Sequence, residues 1–118
     1  MAGGPLDGNA LVLAAAKASV PGDQLPDLVD RVQAHLQGRL PSYGRRYECV
    51  HEDPEQAVFF VEEGHWAAIG EELDLDDREW EGVRRAHEEH LRQLGTDLER
   101  RREFETALDL REVVVLGK

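Results

Sequence analysis

The hydrophobic residues of this chain recur with two different spacings, and each change of spacing predicts a change between helix and strand. From position 25 to position 40, apolar residues lie three or four positions apart, as on one side of an amphipathic helix. They are Leu25, Leu28, Val29, Val32, Leu36 and Leu40. An earlier helix is predicted to run from a cap at Asn9 through Ser19, and Pro21-Gly22-Asp23 separates the two, with Asp23 capping the second.

A period of two begins at Arg45, after Pro41-Ser42-Tyr43-Gly44 is predicted to end the second helix. Tyr47, Cys49 and His51 are then predicted to leave one face of a strand, with the intervening residues on the other face. Asp53-Pro54-Glu55 is a turn signal, and the β-favouring run 57–61 follows it. The pattern predicts a β-hairpin.

Helical spacing returns after Gly64, with Trp66, Ile69 and Leu73 predicted to face inward. The acidic run 74–77 is a strong start signal for the next helix. Its apolar residues step almost as a heptad seam, and Gly95 is predicted to stop or loosen the helix. The seam consists of Trp80, Val83, His87, Leu91, Leu94 and Leu98. A further helical stretch carries Leu98, Phe104, Ala107 and Leu108.

The β-branched segment 112–116 is predicted to add a third strand to the hairpin, with an extended arm as the alternative. The chain is therefore predicted to be α+β, with two N-terminal helices, a hairpin or three-stranded sheet, and two to three further helices. Its 118 residues suit a single domain, 1–118, in which the Gly- and Pro-rich residues 1–8 are frayed.

The charge of the chain is strongly one-sided, with 25 acidic residues against 14 basic ones and a formal charge of −11. Only Lys17 and Lys118 are lysines. Hydrated carboxylates suit a surface in concentrated salt, where their mutual repulsion is screened over about 3 Å at 1 M. We interpret the composition as that of a halophile, and a GC-rich genome, which also favours Arg and Asp, is the alternative.

The expected location is the cytoplasm. No apolar run approaches the length of a membrane span, and the first residues lack the basic and apolar regions of a signal peptide. The single cysteine, Cys49, excludes an intramolecular disulfide and suits a reducing compartment.

A Zn²⁺ site is the best candidate for chemistry in the sequence. Cys49 and His51 would share a strand face, while His87 and His90 would share a side of a helix. One thiolate and three imidazoles form a sound tetrahedral ligand set. The alternative is structural, with Cys49 as a small apolar residue and His87 as a hydrogen-bonded core histidine.

The sequence favours no catalytic or cofactor-binding residues, and a non-enzymatic protein is expected. A nucleophilic Cys49–His51 pair lacks a third orienting group and an oxyanion loop. No glycine spacing matches a phosphate-binding loop. Catalytic carboxylates cannot be distinguished among so many solvated ones.

Nucleic acid is an alternative partner that the acidic balance argues against, because phosphate binding requires clustered cations and weakens in salt. Arg45-Arg46, beside Tyr43 and Tyr47, and Arg100-Arg101-Arg102 are the two basic spots. Nucleic-acid binding would require them to converge on one surface.

The seam residues Trp80, Val83, His87, Leu91 and Leu94 are predicted to lie either in the core or at a contact between subunits. Association suits molar salt, which strengthens apolar burial and weakens ion pairs. The expected partner is therefore a second copy of the chain, as in a homodimer, or another protein.

Several segments in the middle and at the end of the chain form a recognisable set, namely Arg46-Tyr47-Glu48-Cys49-Val50-His51-Glu52, Phe59-Phe60-Val61, Trp66 and Arg111-Glu112-Val113-Val114-Val115. In these segments the chain resembles a family of short, acidic, uncharacterised proteins from haloarchaea. The resemblance implies a salt-loving host and a domain of unknown function, and it assigns no site residues. The expected function is that of a small cytoplasmic interaction or regulatory module.

Overall fold

The structure is a computed structural model that describes residue 6, residues 8–17, residue 20 and residues 23–118. It confirms the α+β prediction and the third strand, so the alternative of an extended arm is wrong. The elements in chain order are α1 Gly8–Lys17, α2 Leu25–Leu36, α3 Leu40–Arg46, β1 Glu48–Glu52, β2 Gln56–Val61, α4 His65–Leu73, α5 Asp77–Asp97, α6 Arg101–Leu108 and β3 Glu112–Gly117. None of these helices is both long enough and apolar enough to cross a membrane.

The first helix boundaries differ from the prediction. Gly8 begins α1, so Asn9 lies inside the helix and does not cap it. The predicted end at Ser19 and most of the Pro21-Gly22-Asp23 break lie outside the described residues. Gln24, not Asp23, is the N-cap of α2, and its side chain makes no capping hydrogen bond.

The segment predicted to end the second helix instead forms a helix of its own. Gly38 follows the end of α2 with a φ of +86°, a conformation that glycine adopts readily after a helix. Pro41 then falls in the first turn of α3, where its missing N–H leaves no helical bond unmade. The first strand therefore begins at Glu48, three residues later than predicted.

The sheet has the order β1-β2-β3, and both pairings are antiparallel. A bulge interrupts β1, because Cys49 pairs with Phe59 while His51 pairs with the adjacent Val58. Consecutive residues of β2 point to opposite faces, and paired residues share a face. Cys49 and His51 consequently lie on opposite faces, and the prediction of a shared face is wrong because the bulge adds one residue.

Side chains from three helices occupy the outer edge of β3, where a fourth strand would otherwise pair. Alternate residues of β3 turn their N–H and C=O groups away from β2. The hydrogen bonds are Trp66 Nε1 to Val113 O at 2.8 Å, Val115 N to His87 Nδ1 at 2.9 Å, Gln33 Nε2 to Val115 O at 2.6 Å and Gly117 N to Gln33 Oε1 at 3.0 Å. These contacts fix α2, α4 and α5 against the sheet.

The long helix α5 packs against α1, α2, α4, α6 and β3. Its start was predicted correctly, since Asp76 forms a capping box with Glu79. The helix continues past Gly95 to Asp97. Trp66 and Ile69 of α4 are buried as predicted, whereas Leu73 is only partly buried.

The seam residues of α5 lie mainly in the core of the chain itself. Val83, His87 and Leu91 are fully buried, while Trp80 and Leu94 are partly buried at the edge of the core. The three buried side chains are therefore unavailable for contact between folded copies.

Candidate functional site

The four residues predicted to bind zinc have separate environments. Cys49 is exposed, and its nearest hydrogen-bonding partner is the carbonyl oxygen of His51 at 3.5 Å. His87 bonds to Val115, and His90 Nε2 lies 2.7 Å from Gln56 Oε1. Within the described ranges, no group of three or more His, Cys, Asp or Glu side chains is placed to hold a metal ion.

His51 and His90 are connected through hydrogen bonds. His51 Nε2 lies 2.9 Å from Asp53 Oδ2, and Gln56 Nε2 donates to the same oxygen at 3.1 Å. Asp53 Oδ1 also accepts the backbone N–H groups of Glu55 and Gln56. The hydrogen bond from His51 and those from the turn hold the pKa of Asp53 well below its usual range. The cluster stabilises the hairpin turn.

His87 is a neutral core residue. Its Nδ1 accepts the N–H of Val115, so the ring proton is on Nε2, for which the described part of the chain offers no hydrogen-bond partner. The ring packs edge-on against Trp66, with centroids 4.6 Å apart. Burial, followed by the charge of His90, lowers the pKa of His87 to about 3. This environment fits the structural alternative to metal binding.

The two basic spots line different recesses. Arg101 and Arg102 line one of about 730 Å³ between α5 and α6. Arg46 lines two others, on the side of α3. Arg100 donates to the carbonyl of Val50 at 3.0 Å and forms an ion pair with Glu103 at 2.8 Å.

The recess between α3 and α4 contains a partly buried hydrogen bond and an ion pair. It has a volume of about 250 Å³, and side chains at helical spacing meet across it. Tyr43 Oη lies 2.6 Å from His65 Nε2, and Arg39 Nη1 lies 3.6 Å from Glu72 Oε1. Tyr43 belongs to α3 and Arg39 is the N-cap residue of that helix, while His65 and Glu72 belong to α4.

Three of the side chains that line this recess are rings that pack against one another. The centroid distances are 5.0 Å for Tyr43 and Tyr47, 5.5 Å for Tyr43 and His65, and 5.3 Å for Tyr47 and His65. Burial, followed by the nearby phenol of Tyr47, raises the pKa of Tyr43, and burial lowers the pKa of His65. Both groups are therefore neutral near pH 7, and one neutral hydrogen bond joins them.

A larger recess of about 700 Å³ adjoins the first, because Arg46, Tyr47 and Glu62 line both. It extends over the ends of the strands to Leu110, whose surface is 74% exposed. We call the two recesses together the Tyr47 groove. Its principal residues are Arg39, Tyr43, Arg46, Tyr47, His65, Phe60, Leu110 and Arg111.

The sequence indicated only part of this groove. Tyr43 and Tyr47 beside Arg45-Arg46 were recognised as a small basic and aromatic spot, whereas Arg39, His65 and Leu110 were not singled out. The missing signal was the helix from Leu40 to Arg46. Once Pro41 is placed in a first turn, positions 39, 43 and 46 follow helical spacing.

The comparisons agree with the resemblance at the level of a domain of unknown function. Residues 4–118 match the family described as domain of unknown function DUF8048, and the chain belongs to this family. No curated protein and no solved structure matches the chain.

Proposed function

We propose that this protein is a small, non-enzymatic interaction module of a halophile's cytoplasm, and that it binds a segment of a partner protein in the Tyr47 groove. The observation that carries the proposal is that the two recesses share Arg46, Tyr47 and Glu62 in their linings. We treat the two adjacent recesses as one binding surface from the α3–α4 side to the strand ends.

The residue types of the groove support protein binding. Tyrosine and arginine are enriched among the residues that dominate binding energy at interfaces. Arg46 lies 5.5 Å from the Tyr47 ring centroid, and Arg111 lies 5.5 Å from that of Phe60. Leu110 contributes an exposed apolar side chain at one end.

The electrostatics of Tyr43 and His65 favour binding over catalysis. A general base at pH 7 needs a pKa close to that pH. The pKa of Tyr43 is raised and that of His65 is lowered, so each moves away from the range in which it would exchange a proton. Their hydrogen bond instead braces α3 against α4.

Because the seam is buried, we favour a partner other than a second copy of the chain. The self-contact expected from the sequence used Val83, His87 and Leu91, which are fully buried. Assembly through the groove itself would appear as a concentration-dependent mass in sedimentation.

Backbone amide NMR in molar KCl tests the proposal, with a mixture of N-acetylated tetrapeptides as the probe. We expect shifts to concentrate at Arg46, Tyr47 and Leu110. The variant Leu110→Asp should lose them, whereas Val12→Asp, at an equally exposed apolar position on α1, should keep them. Shifts spread evenly over the surface, or equal losses in the two variants, would refute the groove.

A further inference from the structure

We propose that the segment bound in the Tyr47 groove carries a carboxylate beside an apolar side chain, with the carboxylate on Arg46 and the apolar group on the wall that ends at Leu110. This inference rests on the proposed function, because it names the ligand of the same groove. Its basis is the contrast between Arg46 and the two arginines on either side of it.

The flanking arginines already have carboxylate partners. Arg39 lies 3.6 Å from Glu72, and Arg111 lies 2.6 Å from Glu48. Among the residues that the structure describes, no carboxylate oxygen lies within 4.0 Å of the Arg46 guanidinium. Arg46 is therefore the groove cation whose charge remains available to a ligand.

The acidic residues near Arg46 limit where a ligand anion can bind in the groove. Glu62 and Glu63 line the larger recess, and Glu62 Oε1 lies 3.8 Å from His65 Nδ1 rather than on Arg46. Their negative charges offset part of the attraction that Arg46 exerts on an anion, so an anion is favoured only where it contacts Arg46 directly. In an unmodified protein segment that anion is a carboxylate.

The apolar residues that line the recess beside Arg46 indicate that the ligand also carries an apolar group. Phe60, Val61 and Leu110 line the same recess. The guanidinium of Arg111 lies over the Phe60 ring and is held by Glu48, so this side of the recess is neutralised and partly apolar. An aliphatic side chain next to the carboxylate can contact it.

The recess between α5 and α6 offers a useful comparison. Three of its four arginines are in ion pairs, since Arg84 pairs with Glu88 at 3.1 Å and Arg92 and Arg101 both pair with Glu105. Among the described residues no carboxylate lies within 4.0 Å of the fourth, Arg102. An anion at the three paired arginines would compete with existing ion pairs. The Tyr47 groove has no such competition at Arg46.

Three small probes separate the two halves of the ligand. N-acetyl-leucine has the carboxylate and the apolar group, N-acetyl-leucinamide lacks the charge, and acetate lacks the apolar group. We expect N-acetyl-leucine to shift the amide signals of residues 46, 47 and 110. Its affinity should exceed that of the amide by about two- to five-fold, the value of an exposed ion pair. Inorganic phosphate should shift these signals less than N-acetyl-leucine does.

Matched variants assign the charge effect to one side chain. In Arg46→Gln the preference for the acid over the amide should fall to about one, while Arg45→Gln, the neighbouring arginine outside the groove lining, should keep the preference. An unchanged amide spectrum elsewhere in Arg46→Gln shows that the fold is intact.

The outcomes distinguish this inference from the proposed function. If acid and amide bind equally in the groove, the carboxylate inference is overturned while the groove remains a binding site. Equal acid preference in wild type and Arg46→Gln also overturns it. If neither these probes nor the tetrapeptide mixture shifts the groove, both proposals fail.

Discussion

Acidification should weaken the fold through His87, because its buried ring cannot accept a second proton without losing the hydrogen bond from Val115. The pKa of His87 is about 3 in the folded chain and about 6.5 in an unfolded chain. The unfolded state therefore binds the proton more readily between these two values. The contribution of neutral His87 to the free energy of unfolding is therefore fully present above about pH 6.5, and it is lost as the pH drops toward 3.

The expected size follows from the interval between pH 6.5 and pH 5. Each pH unit over which only the unfolded state is protonated costs about 1.4 kcal/mol. Titration of His87 should therefore lower the free energy of unfolding by about 2 kcal/mol between pH 7 and pH 5. Other titrating groups add their own contributions, so a comparison with a variant is needed.

The perturbation is His87→Gln, which keeps an acceptor for the Val115 N–H and removes the titration. Loss of the packing against Trp66 should lower stability at pH 7 by about 1–3 kcal/mol. The loss between pH 7 and pH 5 should nevertheless be smaller than in wild type by about 2 kcal/mol. Urea unfolding at constant KCl, followed by tryptophan fluorescence, measures both quantities.

A control separates titration from general weakening of the core. Val83→Ala removes buried volume in the same helix and leaves His87 in place, so it should keep the pH dependence of wild type. If His87→Gln and wild type lose equal stability on acidification, then His87 does not remain neutral in the fold and the reasoning is wrong.

Three further predictions concern packing, the strand edge and salt. Gly70→Ala should cost about 1–3 kcal/mol in urea unfolding, because a Cβ there would lie 2.3 Å from Cδ1 of Trp80, while Gly44→Ala, with no atom within 4 Å, should not destabilise. Equal effects would contradict the close packing. Gln33→Leu should expose hydrogen-bonding groups of β3 and increase aggregation in light scattering, and unchanged scattering would contradict the edge role. The melting temperature should rise steadily with KCl as carboxylate repulsion is screened, and a salt-independent value would contradict the halophile interpretation.

The parts of the fold that the sequence predicted are those in which local signals agree with the tertiary structure. The acidic start of α5 is a local capping box, and the β-branched run of β3 is fully buried from Val113 to Val115. The α2–α3 boundary failed because the apolar spacing continues from Leu36 to Leu40 across a break made by Gly38. Backbone geometry, not hydrophobic period, determines that break.

The candidate site depended on information that the sequence pattern does not contain. The metal prediction assumed strict alternation in β1, and the bulge between Cys49 and His51 removes the shared face. Tyr43 and His65 are separated by 22 residues and meet only because α3 and α4 pack together. A polar pair of this kind has no periodic signal, so only the three-dimensional arrangement brings it to attention.

The closed edges of the sheet also limit how this chain can join a partner. On β3, the helical side chains already use the outward groups at Val113 and Val115. On β1, the bulge disturbs the ladder, and Arg100 occupies the carbonyl of Val50. A strand added at either edge would have to break these bonds before making its own. The contact that we propose through side chains in the Tyr47 groove would require no such exchange, so it would cost less than strand addition.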